Sequence, residues 1–454
     1  MIITKRATTL IFLATILSIL CGLFAYNRFF SLSAKLNNYV AAYAQLGQFS
    51  GAALVAKDGK ILLSKGYGMA DYELDVPNTP KTKFRLGSIT KQFTALAIMQ
   101  LQEQGKLNVN HSISKYLPDY PQGKKITIHH LLTHTAGIPN FTRFPEYKNI
   151  QILPTTPIKT MDLFKNKPLE FVPGEKHAYS NSGYIILAAI IEQVSGQEYE
   201  KYMDEHIFHP LEMKDTGYDH DKDILKNRAS GYAHKNEQLV NAHYIDMSLP
   251  SGAGALYSTV EDVYRWDRAL YKPTIVKEST LQKIFTPFKD DYGYGWSIQS
   301  VDGIESVQHN GGIDGFRSII KRYPKNNICI IILSNFEFAP VDEVAEGLAK
   351  IIFGKEPTFP QKHVEIDVDP KVFDDYIGKY ELKKDFVITV TKENKKLYAQ
   401  ATKQDTFQMY PEKKDLFFIK AVDAQIAFVR NKDGIVTSLI LHQNGKDRAA
   451  QKVE

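Results

Sequence analysis

Apolar positions along this chain recur with a helical period in some stretches and a strand period in others, and the switches mark its elements. Thr8 to Tyr26 is uncharged and mostly apolar, close to the roughly 20 residues that cross a bilayer. Ser50–Ala56 and Ile61–Ser64 flank Asp58-Gly59, which predicts a β-hairpin. Ile89, Phe93, Leu96, Ala97, Met99 and Leu101 share a helix with no internal Pro or Gly, and Gly105 follows as its stop. From about residue 106 to 245 the pattern is helical and loop-rich, with one apolar helix from Ile185 to Val194 and another across Tyr199–Phe208. Strand patterns return at 293–298, 315–323 and 328–334, before a helix at Val341–Ile352. Strands at both ends of a helical insertion predict an α/β chain of the α+β type. Its antiparallel sheet is flanked by helices and carries an all-α lobe, with an active site in the crevice between them.

Gly354 to Pro370 holds three prolines and few bulky residues and reads as a linker. Beyond it, residues 386–390, 397–400, 416–419, 426–429 and 436–441 alternate between charged turns, which predicts a small β-barrel or sandwich. The expected organisation is therefore an N-terminal signal or anchor segment (1–30), a large α+β domain (36–353), a linker (354–370) and a small β domain (371–454).

With 454 residues, 43% hydrophobic and 24% charged, the chain is globular and long enough for two or three domains. A net charge of +5 with scattered Lys-Lys pairs offers no basic stripe, so no nucleic-acid partner is expected. Lys5 and Arg6 precede the apolar run, which predicts a cytoplasmic N-terminus and export of the rest. The segment is expected to be an uncleaved membrane anchor, with a cleaved signal peptide as the alternative. The small-x-small cleavage pattern is poor at Leu23-Phe24-Ala25. Two cysteines, Cys21 and Cys329, provide neither a disulfide framework nor a zinc cluster. No metal and no cofactor are expected.

The chemistry concentrates at Ser88-Ile-Thr-Lys91. Residues three apart on a helix are neighbours, so Lys91 would stand beside the Ser88 hydroxyl at a helix start, where free amides and the dipole favour a developing anion. Alone, the pattern is most simply a capping serine with a solvated lysine, and the same spacing recurs at Ser112/Lys115 and Ser318/Lys321. Tyr179-Ser180-Asn181 before the Ile185 helix, and His309-Asn310-Gly311-Gly312 at the end of a strand pattern, supply what the pair lacks. Paired glycines let backbone N–H groups approach a ligand. His130 and His134 are four apart like helical zinc ligands, but no Glu follows His130, and a structural helix start is the better reading. There is no Gly-x-Ser-x-Gly elbow and no phosphate-binding loop.

Taken together, Phe84–Phe93, Ile126–Pro139, Tyr179–Gly183, Ser251–Ser258 and Tyr292–Trp296 closely resemble the serine β-lactamase and penicillin-binding-protein superfamily. The resemblance is to the branch of class C β-lactamases, DD-carboxypeptidases, D-aminopeptidases and some esterases, and it spans about 36 to 352. Residues 372–452 resemble, more weakly, a lipocalin-like domain appended to such hydrolases. The resemblance implies that Ser88 forms an acyl-enzyme, that Lys91 and Tyr179 share the proton work, and that Asn181 binds the acyl amide. It further implies an oxyanion hole at the Ser88 and Gly312 amides beside Gly311, with His309 binding substrate. Where β-lactamases carry Lys-Thr-Gly, this chain has His309-Asn310-Gly311, and a histidine near pKa 6.5 is a weaker anchor for a carboxylate. The expected activity is that of an exported serine hydrolase of the bacterial cell envelope. Its substrates would be D-amino-acid peptides, amides or related esters, peptidoglycan-derived ones among them, with β-lactam hydrolysis weak. The competing reading is a slow or inactive penicillin-recognising binding protein. Oligomeric state is open.

Overall fold

The computed structural model describes residues 31–454 apart from 236–237, 302, 403, 421–423 and 444–445. The expected membrane segment, residues 1–30, lies outside the described residues. Among those described, no helix is long and apolar enough to cross a membrane.

A six-stranded antiparallel sheet organises residues 31–352. In chain order its strands are β1 (Gly51–Lys57), β2 (Lys60–Tyr67), β3 (Ser297–Val301), β4 (Ile304–Ile313), β5 (Phe316–Tyr323) and β6 (Ile328–Ser334). They lie side by side as β3-β4-β5-β6-β1-β2. Both ends of the sequence pattern thus meet in one sheet, with β1 paired to β6 from Gly51↔Ser334 to Lys57↔Ile328. All seven residues of β6 are buried, as a continuous apolar run demands of a strand covered on both faces.

The period of two sorts that run into two cores. Cys329, Ile331 and Leu333 join Ala52, Leu54 and Ala56 against the helical lobe. Ile328, Ile330 and Ile332 join Ala53 and Val55 on the other face. There they meet α1 (residues 31–45) and the last helix of the sheet unit, Val341–Ile352. The lobe is built on α2 (Thr90–Glu103), α3 (Ile128–Leu132), α4 (Asn181–Ser195) and the short α5 (Ser251–Gly254). Gly105 follows α2 at φ +72°, the left-handed stop expected of a helix-ending glycine.

One predicted strand is corrected. Residues 293–296 form turns, with Gly295 at φ +77°, and β3 begins only at Ser297. An alanine Cβ at Gly295 would meet the Lys91 carbonyl oxygen at 2.7 Å, so these glycines serve close packing rather than sheet pairing.

Residues 378–452 close into an eight-stranded antiparallel barrel in simple up-and-down order. Its interior is filled by Tyr376, Tyr380, Leu397, Phe417, Phe428, Leu439 and Ala450, among others. The intervening stretch has no regular structure from 355 to 369 yet is pinned at both ends. Phe359 packs edge-on to Tyr39 of α1 at 5.3 Å, and His363 stacks on Phe418 of the barrel at 5.0 Å. Three barrel strands escape the periodicity: Gly378–Lys383, Thr406–Lys413 and Lys446–Lys452. The second contains Pro411, and the third is mostly charged, with Ala450 facing the core.

Candidate active site

Ser88 lies in a 3₁₀ turn, Gly87–Ile89, that runs straight into α2. It caps neither element with its side chain, so the plain capping reading does not apply to it. The two other Ser-x-x-Lys segments do have local roles. Ser112 caps a short turn. Ser318 lies on β5, where its buried hydroxyl donates to the Leu86 carbonyl at 2.7 Å and ties the Ser88 turn to the sheet.

Lys91 is fully buried one helical step on. Its Nζ lies 3.0 Å from Ser88 Oγ, 2.8 Å from Asn181 Oδ1 and 2.8 Å from the Ala253 carbonyl oxygen. Burial holds its pKa well below the ordinary lysine value, because desolvation penalises the ammonium. An uncharged amine has two N–H groups and one lone pair. The Ala253 and Asn181 oxygens are acceptors only and occupy both N–H groups, which leaves the lone pair for the Ser88 hydroxyl. In this state the amine can take the serine proton.

Tyr179 and Asn181 come from the opposite wall, where the chain enters α4. The Tyr179 ring lies 4.9 Å below Lys91 Nζ. Its hydroxyl is buried and, among the described residues, meets no full hydrogen-bond geometry. Burial raises its pKa, while the nearby Ser88 hydroxyl pulls in the other direction more weakly. Asn181 Nδ2 donates to Thr142 Oγ1 at 3.3 Å, and its own N–H donates to Asn140 Oδ1 at 3.1 Å. Loop residues 140–142, absent from the sequence reading, thus fix the amide that faces Lys91.

The third wall is the free half of β4. β3 pairs with β4 only from Ile304 to Gln308, so residues 309–313 keep one edge open. A two-residue hairpin at Asp314-Gly315 makes Ile313 and Phe316 the terminal pair with β5. Ladder alternation then turns the Gly312 N–H away from β5, toward the Ser88 turn. Packing there excludes side chains. A Cβ on Gly87, at φ +54°, would come within 2.9 Å of the Gly312 nitrogen, and one on Gly311 within 2.0 Å of the Leu86 carbonyl oxygen. The Gly312 amide and the first turn at Ser88 therefore frame one small space, suited to a carbonyl oxygen that gains charge.

His309 is buried behind this edge. Its Nδ1 lies 2.6 Å from the Asn310 carbonyl oxygen and its Nε2 lies 2.9 Å from the Tyr292 hydroxyl. A carbonyl only accepts, which places the ring proton on Nδ1 and lets Tyr292 donate to Nε2. Burial and the neighbouring Lys91 push the pKa of His309 down to about 4. It is a neutral ring with both nitrogens engaged inside the protein, so it presents no cation to a substrate carboxylate.

Two residues at this site were not assigned to it from sequence. Tyr292 is buried against His309. His134 packs on Tyr179 with ring centroids 4.2 Å apart. Of the two histidines weighed as zinc ligands, His130 completes a capping box with Thr127 at the start of α3, as the structural reading expected, whereas His134 is part of the site wall.

Residues 36–352 match the family described as "Beta-lactamase", and residues 362–452 match a domain of unknown function, DUF3471. Penicillin-binding protein 4* of Bacillus subtilis (strain 168) is 30% identical over 437 residues, which cover 90% of this chain and 96% of that protein. The octameric penicillin-binding protein homologue from Pyrococcus abyssi is similar in structure, with a TM-score of 0.65 and 27% identity, over 92% of this chain and 99% of that one. The D-amino acid amidase from Ochrobactrum anthropi SV3 shares the fold at TM-score 0.65 and 24% identity, over 71% of this chain and 99% of that one.

Proposed function

This chain belongs to the beta-lactamase family and is a serine hydrolase, and from that premise we propose that Ser88 is its nucleophile and D-amino-acid peptides, amides or related esters its substrates. The observation that carries the reading is the buried Lys91 amine, held 3.0 Å from Ser88 Oγ with its other contacts on pure acceptors. Ser88 Oγ attacks the substrate carbonyl carbon as its proton passes to Lys91 Nζ, and the carbonyl oxygen takes the charge toward the Ser88 and Gly312 amides. Collapse of the tetrahedral adduct expels the amine or alcohol, which receives a proton from the Lys91–Tyr179 pair. Water then attacks the acyl-enzyme by the reverse relay and frees Ser88.

Asn181, bonded to Lys91 on one side and Thr142 on the other, offers its amide to the acyl chain lying along β4. The amidase likeness supports a D-configured substrate, and the penicillin-binding relatives support a place in the cell envelope, reached by export through the N-terminal segment. Neutral His309 argues for weak β-lactam hydrolysis, since no ammonium stands where the lactam carboxylate would lie. Its part is to hold the Asn310 carbonyl and so shape the β4 edge.

The test is acylation by a fluorescent phosphonate or penicillin, with turnover on D-aminoacyl amides, D-Ala-D-Ala peptides and short esters. Ser88→Ala should abolish both labelling and turnover. Undiminished labelling of that variant would sink the proposal.

A further inference from the structure

His134 stands where the chain leaves α3, in a left-handed conformation at φ +55° and 2% exposed. Histidine is among the few side chains found there with any frequency, so the position costs free energy unless something is gained. What the conformation produces is a grip on one short segment from two directions. The His134 carbonyl oxygen accepts from the Ala178 N–H at 2.9 Å. Its ring Nδ1 accepts from the Ser180 N–H at 3.2 Å. The two donors flank Tyr179, and the imidazole lies against the Tyr179 ring at 4.2 Å. Three contacts from one residue thus fix the 177–178 and 179–180 peptide units, which bracket Tyr179, and the plane of its ring.

The grip requires an uncharged ring. An Nδ1 that accepts from Ser180 carries no proton, so the ring proton is on Nε2. That nitrogen has no hydrogen-bond partner among the described residues and lies among the rings of Tyr179, Tyr184, Tyr292 and His177. Burial, and after it the neighbouring titratable groups Lys91, His177 and His309, disfavour a proton on its second nitrogen. Among the described residues the Tyr179 hydroxyl meets no full hydrogen-bond geometry, and the one group bearing on it is the Ser88 hydroxyl that it serves.

We propose that His134 is the positioning residue of Tyr179, clamping residues 178 and 180 so that the tyrosine hydroxyl is held at Ser88. The inference rests on the reading that Tyr179 takes part in proton transfer at Ser88. It assigns a site function to a histidine whose spacing from His130 suggested only a helix start.

Side-chain isosteres test it. Asn places an oxygen acceptor near the position of Nδ1 and tolerates the left-handed region, whereas Gln reaches toward the position of Nε2 and leaves Ser180 without its acceptor. The readout is the second-order rate of labelling by a fluorescent phosphonate, with a thermal melt of each variant. H134Q should label about tenfold more slowly, the factor that one lost hydrogen bond of ordinary strength produces, and H134N within about threefold of the parent. In a Y179F background H134Q should add nothing, because the histidine acts through the tyrosine. Equal rates for H134Q and the parent, equal losses in H134N and H134Q, or full additivity with Y179F would each overturn the inference. Should H134Q not fold, H134N decides alone: near-parent labelling supports the clamp and a tenfold loss refutes it. If Y179F itself labels at the parent rate, the proton-transfer reading fails. If Y179F is slow and H134Q is not, only the clamp fails.

Discussion

Gly87→Ala separates the stability of the Ser88 turn from its chemistry. At φ +54° an alanine is strained by roughly 1–2 kcal/mol relative to glycine, which corresponds to a fall of a few °C in Tm for a domain of this size. The second effect is local. The new methyl would lie 2.9 Å from the Gly312 nitrogen, 3.0 Å from its carbonyl oxygen and 3.1 Å from its carbonyl carbon. All three are backbone atoms of β4, so no side chain can rotate away. Ordinary contacts begin near 3.4 Å, so the Ser88 turn and the β4 edge must part by about half an ångström, the tolerance within which a reacting group has to be held. Losing the alignment of one oxyanion donor costs about a hundredfold or more in acylation. Stopped-flow acylation by a nitrophenyl ester and thermal unfolding of the same preparation give both numbers. A variant that melts lower but acylates at the parent rate would refute the assignment of the Gly312 amide. A variant unchanged in both would refute the contact itself.

Two pH dependences follow from the buried bases. Lys91, held well below the usual lysine pKa by burial, should leave acylation near its plateau at neutral pH and lower it only in acid, as the amine gains its proton. A rate that reaches half its maximum only near pH 10, where free lysine titrates, would contradict an uncharged Lys91. His309 has a folded-state pKa of about 4 against 6.5 for the free side chain. Its folded pKa is the lower one, so the unfolded chain binds the proton first, and stability falls as pH drops from about 6.5 toward 4. The loss approaches roughly 3 kcal/mol. Denaturant titrations at pH 7, 5 and 4 on the parent and on His309→Gln should differ by that amount at the acid end, and parallel curves would refute it.

The parts of the site legible in the sequence are the local ones. Ser88 and Lys91 meet because three residues of helix bring them together, and the 3₁₀ start of α2 does not disturb that. Tyr179 and Asn181 precede an apolar helix whose limits the periodicity marks well. The hairpin at Asp58-Gly59 and the all-buried β6 follow from turn residues and an apolar run. What escaped the reading lies far apart in sequence. Ser318, set aside as a chance Ser-x-x-Lys, reaches across the fold to Leu86. His134 was weighed against His130 alone, since its partners Ala178 and Ser180 lie beyond any local window. Gly293–Trp296 mimics a strand because aromatic residues alternating with glycine satisfy a period of two, although Gly295 admits the backbone of α2 and Gly293 that of Ile284. Among the barrel strands, those with a proline or a charged outer face do not stand out from turns.

The sequence by itself determined which side chains are present and in what order, the α+β character, and the apolar alternation that divides β1 and β6 between two cores. Only the tertiary structure decided their protonation states and their company. The pKa values of Lys91 and His309 both fall because both are removed from water, and desolvation depends on everything packed around a group rather than on its neighbours in the chain. The proposed oxyanion space arises in the same way. Gly87 and Gly312 belong to segments 225 residues apart, and they touch because an antiparallel sheet brings the open edge of β4 against the start of α2.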